Sequence, residues 1–135
     1  MSTMQRPVRI TGSRWWPRRW FIVDALVTGV NALAYVAMGR VVAGLLGGDA
    51  DQIRIIGAGL LAFALAVASF ATGTGGRRAA LVVVSVNAGW VLASMLVAAS
   101  GWLGVNLAGT VWIVAQACVV GVLTILQCRS LGEVR

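Results

Sequence analysis

Residues 20–46 read WFIVDALVTGVNALAYVAMGRVVAGLL. This run exceeds the roughly 20 helical residues needed to cross a hydrocarbon core of about 30 Å, so it reads as a membrane span. It nevertheless contains an acid. Asp24, Thr28, Asn31 and Tyr35 stand at i, i+4, i+7 and i+11, the spacing that aligns side chains on one face of a helix. A polar stripe on a lipid-solvated helix needs hydrogen-bonding partners, and the rest of the chain must supply them from other helices. That demand predicts an all-α fold, a bundle rather than a single anchor.

Composition supports the same class. The 135 residues are 59% hydrophobic and only 11% charged, whereas soluble domains carry about 25% charged residues. All eleven basic residues are arginine and the net charge is +7. These arginines flank the apolar runs, where they face anionic headgroups, so nucleic acid is not the expected partner. The bilayer is. Cys118 and Cys128 lie ten residues apart on one predicted helix, roughly 15 Å along its axis, and cannot bridge each other. With no histidine and no CxxC pair, neither a metal nor another cofactor is expected.

Outward from the first run, residues 1–19 form an Arg/Trp-rich tail, with Trp15, Trp16 and Pro17 leading into the span. Arg18-Arg19 followed by apolar residues also matches a twin-arginine export signal, but the run is too long for a signal and three more spans follow. The spans are predicted near 20–39, 53–72, 79–99 and 106–127, joined by turns at 47–51, 74–78 and 100–104. Residues 20–128 thus make the transmembrane domain, and 129–135 a second tail. In the second span Ala58, Ala62, Ala66 and Ser69 recur at near four-residue spacing, a stripe that lets another backbone approach closely. It is the predicted helix-packing face, and through it the chain is expected to form a homo-oligomer or join a larger membrane complex.

Nine arginines (6, 9, 14, 18, 19, 77, 78, 129 and 135) fall on one side of the four spans and two (40 and 54) on the other. The positive-inside rule then places both termini and the 73–78 loop in the cytoplasm, with the chain in a bacterial cell membrane. Val30-Asn31-Ala32 recurs as Val86-Asn87-Ala88, each followed closely by an aromatic residue, Tyr35 or Trp90. This echo suggests two tandem hairpins in parallel repeat; valine and alanine are common enough here for chance to compete with duplication.

Asp24-Ala25-Leu26-Val27-Thr28-Gly29 with Asn31-Ala32-Leu33-Ala34-Tyr35, Asn87 with Trp90, Gly101-Trp102-Leu103, Gly109-Thr110-Val111-Trp112 and Gln116-Ala117 carry a resemblance. Over residues 20–128 the chain resembles small actinobacterial four-span integral membrane proteins, most without an assigned function. The resemblance implies the fold and brings no chemistry.

Counting from the cytoplasmic ends of the spans puts Asn31, Asn87 and Gln116 near mid-membrane, where they can meet as one amide layer. Asp24, Ser85, Thr124 and Gln127 fall nearer the cytoplasmic side as a second. Buried amides with Tyr35, Trp90 and Trp112 beside them serve either as interhelical glue or as an ion or ligand site. Asp24 either stays hydrated near the surface, pairing with Arg77, Arg78 or Arg129, or binds a proton or cation. Arg40 is expected to snorkel to the outer interface or to pair with Asp49 or Asp51. No HExxH, GxSxG or phosphate loop occurs, so an enzyme is not expected. The leading expectation is a non-enzymatic binding, assembly or accessory protein; the alternative is a small transporter coupled through Asp24.

Overall fold

A computed structural model describes residues 18–73 and 75–133. The expectations for residues 1–17, Thr74 and residues 134–135 lie outside the described residues. Four helices run in order: α1 Arg19–Leu46, α2 Ala50–Thr72, α3 Arg77–Ser100 and α4 Leu107–Glu133. The shortest, α2, has 23 residues, about 35 Å of helix. All four are long and apolar enough to cross a membrane, and the chain is a multi-pass, four-helix bundle.

The helix ends show why the chain turns where it does. Gly47 closes α1 at φ 77° and Gly101 closes α3 at φ 67°, a left-handed backbone that costs glycine least. Asp49 opens α2 by accepting from the Asp51 and Gln52 amides, each at 2.9 Å. Asn106 works on two helices at once. Its Oδ1 accepts from Gly109 N at 2.9 Å at the start of α4, while its Nδ2 donates to Leu45 O at 3.0 Å at the end of α1. Its backbone N–H adds a bond to Leu46 O at 2.9 Å, and Gly47 forms an antiparallel bridge with Val105. The two turns at the end away from the termini, called outer for that position in the bundle alone, are thereby tied together.

Helices α1 and α2 pack most closely, α3 packs with α4, α1 joins the pairs through α4, and α2 barely meets α3. The close crossing depends on Gly57. A Cβ there would lie 2.7 Å from Tyr35 Cβ and 3.1 Å from Ala32 O, so any side chain would push the helices apart. Arg54 packs its stem against Gly39 in the same way, next to a kink in α1 at Met38 (φ −119°, ψ 24°). At the end holding the termini, Phe21, Val67, Ala71, Ala80 and Val83 form the core. Phe21 meets Phe70 edge-on at 5.1 Å. The Arg18 guanidinium lies over Phe70 and donates to the Phe70, Gly73 and Gly75 carbonyls, clasping the α2–α3 turn.

Two expectations take a narrower form. The face of α2 that packs within the chain is Gly57, Ala64, Val67 and Ala71. Ala58, Ala62, Ala66 and Ser69 point outward, because Ala58 and Ala66 sit one position round the helix from that face, and Ala62 and Ser69 two, at about 100° per residue. At the end away from the termini Asp51 pairs with Arg54 at 3.2 Å, as the i, i+3 spacing favours, and of the two alternatives for Arg40 its exposure leaves snorkelling open. That pair is exposed and adds little stability.

Candidate functional site

Asp24 is completely buried, one and a half turns into α1. Asn87 Nδ2 on α3 donates to Asp24 Oδ2 at 2.6 Å, and Gln127 Nε2 on α4 donates to the same oxygen at 2.7 Å. The second Asn87 hydrogen reaches Gln127 Oε1 at 3.2 Å, closing a triangle. Thr28 Oγ1, one turn on in α1, lies 3.1 Å from Asp24 Oδ1. The acid therefore holds three helices together through uncharged donors. The expected partners Arg77, Arg78 and Arg129 are instead exposed at helix ends.

A second polar group lies farther along the bundle. Gln116 Nε2 on α4 donates to Asn31 Oδ1 at 3.1 Å and to Tyr35 Oη at 3.0 Å. Trp112 Nε1 also donates to Tyr35 Oη, at 2.8 Å. With both hydrogens of its amide nitrogen given away, Gln116 retains Oε1 as an acceptor; Tyr35, which accepts twice, retains its hydroxyl hydrogen as a donor.

The expected three-amide layer therefore divides. Asn31 and Gln116 meet each other, whereas Asn87 joins Asp24. The helix starts are not level: Asp24 is five residues beyond Arg19 and Asn87 ten beyond Arg77, so α3 begins roughly 7 Å nearer the termini end. A depth count that treats the starts as equal misplaces Asn87. Of the expected second layer, Gln127 reaches Asp24, Ser85 is exposed, and Thr124 turns back to Val120 O at 2.7 Å. The Asn31 and Asn87 of the internal echo thus do different work.

Two cavities of about 260 Å³ each occupy the space between the hairpins. The outer one is walled by Tyr35, Trp90, Trp102, Trp112 and Gln116 with aliphatic residues of all four helices, and no charged side chain lines it. The lower one runs between Ile56, Gly59, Leu60 and Phe63 of α2 and Val86, Asn87 and Trp90 of α3, with Thr28 and Val120 behind. Ile56 and Trp90 line both, so one stack of space leads from the outer turns to the side chains that hold Asp24. Jointly the two fall in the ordinary size range of small-molecule sites, about 300–1,000 Å³.

The cavities bring together Thr28, Tyr35, Asn87, Trp90, Trp112 and Gln116 from the expected site. Asp24 and Asn31 stand just behind that lining, and the α2 stripe lies outside it. Gln127 and Asn106 are the polar residues that sequence reasoning left outside the candidate site. Their signals were the i, i+11 spacing from Gln116 and an Asn directly before an apolar run. Compared with known protein families, curated proteins and solved structures, the chain matches none.

Proposed function

We propose that this membrane protein binds a neutral amphiphile of the bilayer in the space between its two hairpins. The single observation behind the reading is the pair of stacked cavities along the α2–α3 seam, where the helices barely touch. The absence of lining charge in the outer cavity argues for an uncharged ligand, since an ion there would lose its hydration without a counter-charge. Trp90, Trp102 and Trp112 offer flat apolar walls, and the free hydrogen of Tyr35 and free oxygen of Gln116 offer one donor and one acceptor to a polar head. The binding role is non-enzymatic, and the arginine distribution supports a bacterial plasma membrane with the termini in the cytoplasm. The outward Ala58–Ser69 face leaves room for a second copy or another membrane protein, which native mass spectrometry from gentle detergent counts.

A brominated monoacylglycerol, neutral and fluorescence-quenching, tests the reading in proteoliposomes of a variant in which Trp15, Trp16 and Trp20 are replaced, so that only the cavity-lining Trp90, Trp102 and Trp112 report. Saturable quenching that Ala93→Phe in the outer cavity and Gly59→Leu in the lower one both weaken is the expected result. Quenching that rises linearly with probe content, and to the same extent in both variants, refutes binding in the seam.

The alternative is coupled transport. It is favoured by one fact, that Thr28 and Asn87 both contact Asp24 and line the lower cavity. Asp24→Asn then abolishes proton-driven flux of the bound amphiphile; unchanged flux removes this alternative and leaves binding alone.

A further inference from the structure

We propose that Asp24 is a reversible proton-binding site and that Thr28 is the hydroxyl through which the proton passes between Asp24 Oδ1 and the lower cavity. The inference concerns the acid alone and does not rest on the ligand reading.

Asp24 has no exposed surface, and its hydrogen-bond partners, Thr28, Asn87 and Gln127, are all uncharged. A full negative charge inside a lipid-surrounded bundle is costly without a compensating charge. A proton removes that charge and occupies almost no volume. The tight triangle favours it over a metal ion, for the contacts at 2.6, 2.7 and 3.2 Å leave the Oδ2 side closed.

The two carboxyl oxygens differ in the way a proton site requires. Oδ2 already accepts from two amides, which hold the carboxyl group in place in either charge state. Oδ1 has Thr28 alone, at 3.1 Å, and a hydroxyl can serve as donor or acceptor. With Asp24 ionised, Thr28 donates to Oδ1. With Asp24 protonated, the Oδ1 hydrogen donates to Thr28 Oγ1, and the threonine hydrogen turns to the Asp24 carbonyl, the usual i−4 acceptor for a helical threonine. One proton is taken from the cavity and the charge of Asp24 changes from −1 to 0. Every other bond in the triangle is kept.

The other charged groups on the described helices stand at helix ends, except the exposed Arg40, roughly 24 Å farther along α1. On α1, Arg18 is bound to the α2–α3 turn and Arg19 stacks on Trp20. On α3 and α4, Arg77, Arg78 and Arg129 are exposed. On α2, Asp51 and Arg54 lie at the opposite end, paired with each other; the face it turns to α1 is Gly57, Ala64, Val67 and Ala71.

Infrared spectroscopy of the full chain in lipid nanodiscs, without ligand, provides the test. The sequence has three aspartates, 24, 49 and 51, so Asp49→Asn/Asp51→Asn leaves Asp24 as the sole aspartate, and a ¹³C-carboxyl label then marks it without altering the site. The expected result is a labelled carboxylic-acid C=O band that grows on acidification and reverses on return, while circular dichroism stays helical. A labelled group that remains wholly carboxylate, or wholly carboxylic acid, across the pH range in which the protein stays folded overturns the proposal. Thr28→Val slows hydrogen–deuterium exchange at that band, and Thr28→Ser restores it. An unchanged exchange rate in Thr28→Val overturns the role given to Thr28.

Discussion

Asn87 Nδ2 stands 2.6 Å from Asp24 Oδ2 and 3.2 Å from Gln127 Oε1, so one amide on α3 fastens an acid on α1 to an amide on α4. The two residues are 63 positions apart, and their contact bridges helices that do not otherwise pack closely. The hairpins are therefore joined near the termini end by polar contacts as well as by the Phe21 cluster.

Removing the acceptor should expose how much that joint matters. Asp24→Leu leaves Gln127 Nε2 buried without its acceptor and leaves Asn87 with only its bond to Gln127 Oε1, at a cost of about 1–3 kcal/mol. Asp24→Asn keeps one acceptor oxygen and should lose less. Thermal unfolding in detergent ranks the two, and equal melting temperatures would count against the triangle.

The two polar groups should behave as separate units. Asn31→Leu and Gln116→Leu share a bond and should be non-additive by about 0.6–1.7 kcal/mol, the range for membrane hydrogen bonds. Asn87→Leu and Gln116→Leu share no partner and should add to within about 0.5 kcal/mol. A double-mutant cycle that couples Asn87 to Gln116 instead would restore the single amide layer.

Glycine substitutions separate the tied outer turns from open helix surface. A Cβ at Gly109 would collide with the Leu46 carbonyl, so Gly109→Ala should destabilise by about 1–3 kcal/mol. At Gly121 no atom lies within 4 Å of the added carbon, and alanine there should be neutral or stabilising by up to about 1 kcal/mol. Melting curves in the same detergent decide between them.

Orientation can be read by labelling. In a background with Cys118 and Cys128 replaced by serine, a membrane-impermeant maleimide added to intact cells should label Asp49→Cys and spare Gly76→Cys. The reverse pattern would invert the proposed topology.

Much of the bundle was legible because the physics that fixes it is local. Four apolar runs bounded by arginines and glycine turns dictate four spans, and an acid on the first dictates a polar partner. Helix α1 ends with its apolar run at Leu46, whereas α4 passes its expected limit and reaches Glu133, because apolar periodicity ends before the backbone needs to. The packing face of α2 was not legible: small residues occupy both the Gly57–Ala64 side and the Ala58–Ala62 side, so composition gives no preference. Nor was the depth of Asn87, which depends on how far α3 slides along α1, a property of long-range packing rather than of spacing within one helix. The Asn106 tie was hidden for a related reason, since a cap can be read from sequence but its second bond to another helix cannot.

The weak α2–α3 edge is held at both ends. At one end the covalent turn is clasped by Arg18, and at the other the Gly47–Val105 bridge and Asn106 fasten the turns. Only the middle, around Ile56 and Trp90, is unsecured. Such an edge has the form of a buttonhole, fastened at its ends and unfastened at mid-height. An amphiphile bound as proposed would have to enter there, sideways out of the hydrocarbon layer, and its girth, more than its length, would set whether it gets in.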